Sequence, residues 1–450
     1  MRANTGRHLS RQLIRLCLRA ACVILFTGMP AIIQAQSLDA FDRRRIETML
    51  ERARDEISNH YYDSTFNGFD LRAAYDTASA RLRAATTVDR GFAAVAQFTL
   101  DLHDSHTFFI PPQKTAWAEY GWDMAMIGDS CFVLYVASGS DAERQGVRPG
   151  DVVLSVHGYS PTRANLWQLL YLFRMLRPQP SLHTVLHSPG AAPRTLDLAA
   201  TVHERKHIMD LTGADGGADI ARVIRDAEKA AGELRPLVVE YGDEILIWKL
   251  PTFFVDNDAI RDVVKRARQR KALVLDLRGN SGGPVRTLVA LVGQLGRDSV
   301  ILGMQRERRK QTPLIAKGAG DNAFDGQLFV LVDSRSASAS EILARVVQLT
   351  QRGRVLGDRT AGAVMRSSYR QFMLGTQTAV FYGLSITDAD LVMTDGGRLE
   401  AVGVLPDELI LPTANDLAAG RDTVLARAVT LAGAPLGAVE AGTLLRPRKR

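Results

Sequence analysis

The chain has 450 residues, of which 46% are hydrophobic and 23% charged, with a formal charge of +7. That length has room for more than one domain, and the balance is that of an ordinary soluble globular protein and says no more. Much of the positive excess is terminal, in Arg2, Arg7, Arg11, Arg15 and Arg19 and in Arg446, Arg448, Lys449 and Arg450. No basic patch interleaved with aromatics appears, so a nucleic-acid partner is not expected.

Residues 1–35 open with arginines, continue as the apolar run ACVILFTGMPAII and end on the small Ala35, the layout of a cleavable secretory signal. Gly28 and Pro30 interrupt the run, which is short against the ~20 apolar residues of a membrane span. Cleavage after Ala35 removes Cys17 and Cys22, leaves Cys131 alone, and allows no intramolecular disulfide. The expected location is a bacterial periplasm or the exterior, with no stable membrane span once the signal is gone.

Residues 36–112 show apolar positions at helical spacing, with Ile46, Met49, Leu50 and Ile57 on one face, and read as a small helical N-terminal domain. Residues 113–205 change to short alternating runs: a strand around CFVLYV, a short helix from Asp141 to Gln145, the turn Pro149-Gly150-Asp151 and a strand from Val152 to Val156. Residues 206–240 read as a linker. Residues 241–430 alternate strands and helices: ILIWKLPTFF, a helix from Asp256 to Arg270, ALVLDL, a helix from Val285 to Leu295, LFVLVD, and a helix after Ser338. Such βαβ alternation predicts an α/β core of mainly parallel strands covered by helices. Residues 431–450 read as a basic tail.

The stretch Leu328 to Leu349 carries the chemistry. An apolar strand passes through Ser336-Ala337-Ser338-Ala339-Ser340 into a helix with Ile342, Leu343, Val346 and Val347 at helical spacing. A hydroxyl there faces free N–H groups and the positive end of a helix, which favour an oxyanion. Serines also cap helices with no chemistry attached, so the local pattern alone leaves both roles open.

The wider pattern chooses between them. SASASEILA followed by GRVLGDRTAG, together with KALVLDLRGNSGG (Lys271 to Gly283), DLHDSHTFF and RLEAVGVLPDELILPTANDLAAGRD (Arg398 to Asp422), resembles the C-terminal processing (tail-specific) serine peptidases and their tricorn-core and retinoid-binding-protein relatives. The resemblance implies a spiral α/β peptidase core of the ClpP/crotonase kind. Residues 113–205 resemble a PDZ domain, with Gly121, Trp122 and Met124 where the carboxylate loop and its following strand belong; this implies capture of a free polypeptide C-terminus at a sheet edge. One branch of the family uses a lysine after a TxG turn, but here Thr360-Ala361-Gly362 is followed by Ala363, so that dyad is absent. The tricorn branch implies Ser338 as nucleophile, His106 as general base and then acid, and Ser105 and Glu400 as orienting groups. It also implies an oxyanion hole of Ala339 with Gly282 or Gly283.

His103 is the rival base, and Ser336 and Ser340 are rival nucleophiles. Asp276 and Arg278 are expected to fix the glycine turn. No HExxH, CxxC or phosphate-loop spacing is present, so neither a metal nor a cofactor is expected. The function implied is an exported serine endopeptidase acting on polypeptides through an acyl-enzyme, with oligomeric state left open. The alternative is a catalytically silent binder of peptides or lipids on the same fold, which the missing lysine favours; a thioesterase or amidase using the same serine ranks lower.

Overall fold

The computed structural model describes residues 36–112, 116–204, 235–375 and 380–445. The signal-like segment, most of the expected linker and the last five residues lie outside the described residues. No helix among the described residues is long and apolar enough to cross a membrane.

Helices α1 (Ala40–His60), α2 (Leu71–Ala84) and α3 (Val88–Leu100) each begin at a side chain that accepts a first-turn amide, namely Asp39, Asp70 and Thr87. Ile46, Met49, Leu50 and Ile57, the expected face of α1, are all buried and pack in one cluster with Leu82, Val95 and Phe98. The short strand β1 (Phe108–Ile110) follows, and Ser105 and His106 lie in the turn just before it.

The next region is β-rich. It contains β2 (Ala116–Glu119), β3 (Trp122–Ile127), β4 (Ser130–Val136), α4 (Asp141–Arg144) and β5 (Val152–Val156). After these come α5 (Leu166–Tyr171), continued by a π-helical turn Leu172–Leu176, then β6 (Ser181–His187), β7 (Arg194–Ala199) and β8 (Thr201–Glu204). Strands β3 to β7 form one antiparallel sheet in sequence order, with β3 at its edge, and β2 pairs β8.

The remaining chain builds the core from β9 (Leu237–Tyr241), β10 (Ile245–Lys249), α6 (Asn257–Ala267), β11 (Ala272–Asp276), α7 (Val285–Gln294), β12 (Val300–Glu307) and β13 (Gln311–Ala316). It continues with β14 (Gln327–Val332), α8 (Ala339–Leu349), β15 (Arg354–Gly357), β16 (Met365–Leu374) and β17 (Val380–Met393). It closes with β18 (Glu408–Leu409), α9 (Ala414–Ala418), α10 (Thr423–Leu431) and α11 (Ala438–Leu444). The main sheet runs β18-β15-β14-β11-β10-β9, parallel except for β9 against β10. Helices α6, α7 and α8 cover one face and α10 and α11 the other. Strand β11 is therefore buried along its whole length, as a doubly covered parallel strand must be.

Three expectations are corrected. A second, antiparallel sheet, β1-β17-β12-β13 with β16 also on β17, stands beside the parallel one. The βαβ reading missed it because buried Ser385, Thr387 and Asp390 break the apolar pattern of β17. The end of the expected linker is strand β9, since Val238 and Val239 register against Trp248 and Ile247. Most of the expected basic tail is folded, with Leu436 and Ala441 buried in the cluster under α10.

Leu343 of α8 is fully buried between that helix and the parallel sheet. Leu343→Ala is expected to cost about 2–5 kcal/mol of stability, measured by chemical denaturation.

Candidate active site

The strand β14 and helix α8 place three serines in one turn, and their surroundings differ. Ser336 is fully buried and its Oγ donates to Leu277 O at 2.9 Å. Ser340 is fully buried and its Oγ donates to Asn280 O at 2.9 Å. Ser338, at the cap position of α8, is only half-buried. It holds φ 56° and ψ −115°, a conformation that costs a non-glycine residue free energy and persists only where its surroundings enforce it.

The enforcement is visible. Ser338 N–H donates to Ala363 O at 2.9 Å and to Glu341 Oε2 at 3.0 Å. The Glu341 carboxylate also accepts from Thr360 Oγ1 (2.6 Å), Gly362 N (2.7 Å) and Ala363 N (2.9 Å). One fully buried carboxylate thus joins the Ser338 turn to the 360–363 turn. Burial pushes its pKa up to about 7, against the pull of these four donors. Glu341 was missed in sequence, although Ser338-x-x-Glu341 is the S-x-x-E pattern of a capping box.

The glycine turn abuts the serine. A Cβ at Gly282 would lie 2.7 Å from Ser338 Cβ, so only glycine fits there. Gly282 N–H, however, donates to Asn280 Oδ1 at 2.8 Å. Gly282 is therefore corrected from oxyanion donor to a site of close approach. The amides of Gly283 and Ala339 make no such hydrogen bond among the described residues. Asn280, also missed in sequence, ties the two turns together: its carbonyl accepts from Ala337 N and Ser340 Oγ, and its Nδ2 donates to Leu250 O. Behind it, Arg278 forks onto Asp276 and Asp422, which holds the Asp276 carboxyl well below the usual carboxylate range.

The third part comes from the N-terminal region. His106 Nδ1 lies 2.7 Å from Ser105 Oγ, and Ser105 Oγ donates to Glu400 Oε2 at 2.9 Å. Glu400 also accepts from Ser105 N (2.8 Å) and from Val364 N (2.7 Å), next to the residue whose carbonyl holds Ser338. Burial raises the Glu400 pKa. Burial lowers that of His106, partly offset by the negative charge of Asp104, whose Oδ1 accepts the amides of His106 and Thr107 and the Thr387 hydroxyl. His103, the rival base, is exposed. Among the described residues no hydrogen bond links His106 Nε2 to the Ser338 hydroxyl; catalytic hydrogen bonds are often long without substrate and tighten when it binds.

Gly121, Trp122 and Met124 lie apart from this cluster, in the β-rich region. Gly121 has φ 69° and immediately precedes the edge strand β3, while Trp122 and Met124 line a narrow apolar pocket with Tyr120 and with Leu169, Leu170 and Phe173 of the facing helical segment. Asp123, between them, accepts from Arg174 across the pocket and from Arg335 in the loop before Ser338, each at 2.8 Å.

Residues 244–410, which hold the glycine turn, Ser338 and Glu400, match the model of peptidase family S41. Over that segment the chain is similar to the family. It is 27% identical over 378 residues to the chloroplastic C-terminal processing peptidase of Tetradesmus obliquus, covering 79% of this chain and 75% of that protein. Against the tail-specific protease of Haemophilus influenzae it is 28% identical over 207 residues, covering 44% of this chain and 30% of that protein. The crystal structure of mature CPAF shares the fold with TM-score 0.63 at 17% identity, covering 84% of this chain and 95% of that one. The chain is a serine-type peptidase.

Glu341→Gln exchanges an acceptor-only group for one that presents N–H to donors. It is expected to cost about 2–4 kcal/mol in thermal or chemical unfolding, and to slow labelling of Ser338 by a fluorophosphonate at least tenfold.

Proposed function

We propose that the chain is an exported serine endopeptidase that cleaves polypeptides through an acyl-enzyme on Ser338, with His106 as base and Ser105 and Glu400 as orienting groups. The observation that carries this reading is the run of hydrogen bonds from His106 through Ser105 and Glu400 to Val364, beside the carbonyl that holds Ser338. Because the Ser105 hydroxyl donates to Glu400, its lone pair accepts from His106 Nδ1–H. That fixes the tautomer that leaves Nε2 free to take the Ser338 proton.

Ser338 Oγ then attacks the substrate carbonyl carbon, and the negative oxygen is stabilised by the amides of Ala339 and Gly283. The protonated His106 returns its proton to the leaving amine as the C–N bond breaks. Water repeats the sequence: it gives a proton to Nε2, attacks the ester, and Ser338 recovers its proton as the acid leaves.

The β-rich region is read as a PDZ domain. Its edge strand β3 faces α5 across the apolar pocket, the arrangement that adds a peptide C-terminus as an extra strand. Residues 1–35 are read as the export signal. The silent-binder reading draws on Ala363 and on the absent His106 to Ser338 hydrogen bond.

Fluorophosphonate labelling of the mature protein separates the two. The wild type is expected to carry the label on Ser338, identified by mass spectrometry, while Ser338→Ala loses it and His106→Ala loses at least a hundredfold in rate. A folded wild type that never labels would overturn the active-peptidase reading and leave a latent enzyme or the silent binder.

A general base must be neutral, and a lowered pKa keeps His106 neutral into more acidic solution. The acid limb of kcat/KM is therefore expected to have its midpoint below the ordinary histidine value of 6.5. Asp104→Asn removes the charge that raises it and shifts the midpoint further to acid, read from the pH–rate profile.

A further inference from the structure

Phe254 has the highest exposure among the large apolar side chains of the described residues, at 76%. A single exposed aromatic is ordinary on a protein surface, but the place of this one is not. The turn Thr252-Phe253-Phe254 is laced to the glycine turn: Phe253 N donates to Gly282 O at 2.9 Å and Phe254 N to Thr252 Oγ1 at 3.2 Å. Phe253 faces inward, fully buried, and a Cβ on Gly283 would meet its Cβ at 2.9 Å. Phe254, its neighbour, is exposed one residue from that contact with the glycine turn.

In a second segment Val402, 61% exposed, follows Ala401, whose amide donates to Gly362 O at 2.8 Å. Gly362 is held by Glu341, and Glu400 is two residues before Val402. Two exposed apolar side chains are therefore carried by segments hydrogen-bonded into the frame of Ser338.

Resting on the peptidase reading above, we infer that Phe254 is a specificity residue that takes a large apolar side chain next to the cleaved bond. A peptide whose carbonyl carbon is at Ser338 Oγ carries its neighbouring side chains over this rim. Burying such a side chain against a fixed aromatic face strengthens binding, whereas a small or charged one gains little. The substrate class is polypeptide with Phe, Leu or a similar residue flanking the cut.

The test uses the mature protein and one peptide sequence in which the residue on each side of the cleaved bond is varied among Phe, Leu, Ala, Ser and Asp, with kcat/KM followed by mass spectrometry. In Phe254→Ala the preference for Phe and Leu over Ala and Ser is expected to fall roughly tenfold, mainly through KM. Phe254→Leu is expected to restore most of it. An unchanged preference in Phe254→Ala, or an equal loss on every peptide, overturns the inference while labelling of Ser338 leaves the peptidase reading standing. A wild type that neither labels nor cleaves overturns both.

Discussion

The Glu341 carboxylate is the interaction on which the site depends. It sits in the first turn of α8, fully buried, and collects Ser338 N, Thr360 Oγ1, Gly362 N and Ala363 N. A buried carboxylate is costly to desolvate, and only a full set of donors makes it tolerable. Once satisfied, it fixes two turns from different parts of the chain against each other. Thr360 passes the constraint on, because its Oγ1 accepts from Val404 N at 2.6 Å and so draws in the segment that bears Glu400. The strained backbone of Ser338 follows from the same clamp.

The parallel sheet and the antiparallel sheet divide the work. The parallel one, ending at Asp276 and Val332, delivers the glycine turn and the serine from adjacent strands β11 and β14, so their spacing is set by strand pairing rather than by loops. The antiparallel one delivers the histidine: β1 pairs with β17, Phe109 opposite Leu384, and Thr387 reaches Asp104 beneath the His106 amide. Neither sheet alone brings both Ser338 and His106 to the cluster.

Much of this was legible in the sequence, for definable reasons. Strands β10, β11 and β14 are continuous apolar runs, and Ile46, Met49, Leu50 and Ile57 announce a helix face by spacing alone. Ser338, Ser105, His106 and Glu400 stood out through resemblance; no local rule couples residue 106 to residue 400. What stayed hidden was polar and buried. Glu341, Asn280 and Thr387 look like surface residues in one dimension, since their partners are far away in the chain. The same property hid β17, whose inward positions include hydroxyls and a carboxylate. Gly282 was recognised as glycine-dependent, but its amide was spoken for by a side chain only two residues away.

Position 363 acts through its backbone: the N–H goes to Glu341 and the carbonyl receives Ser338. Its side chain carries neither bond, so the residue type there can change without removing either contact to the serine turn. Position 341 is the opposite case: its side chain itself makes the bonds, so any change of residue type there acts on both turns at once.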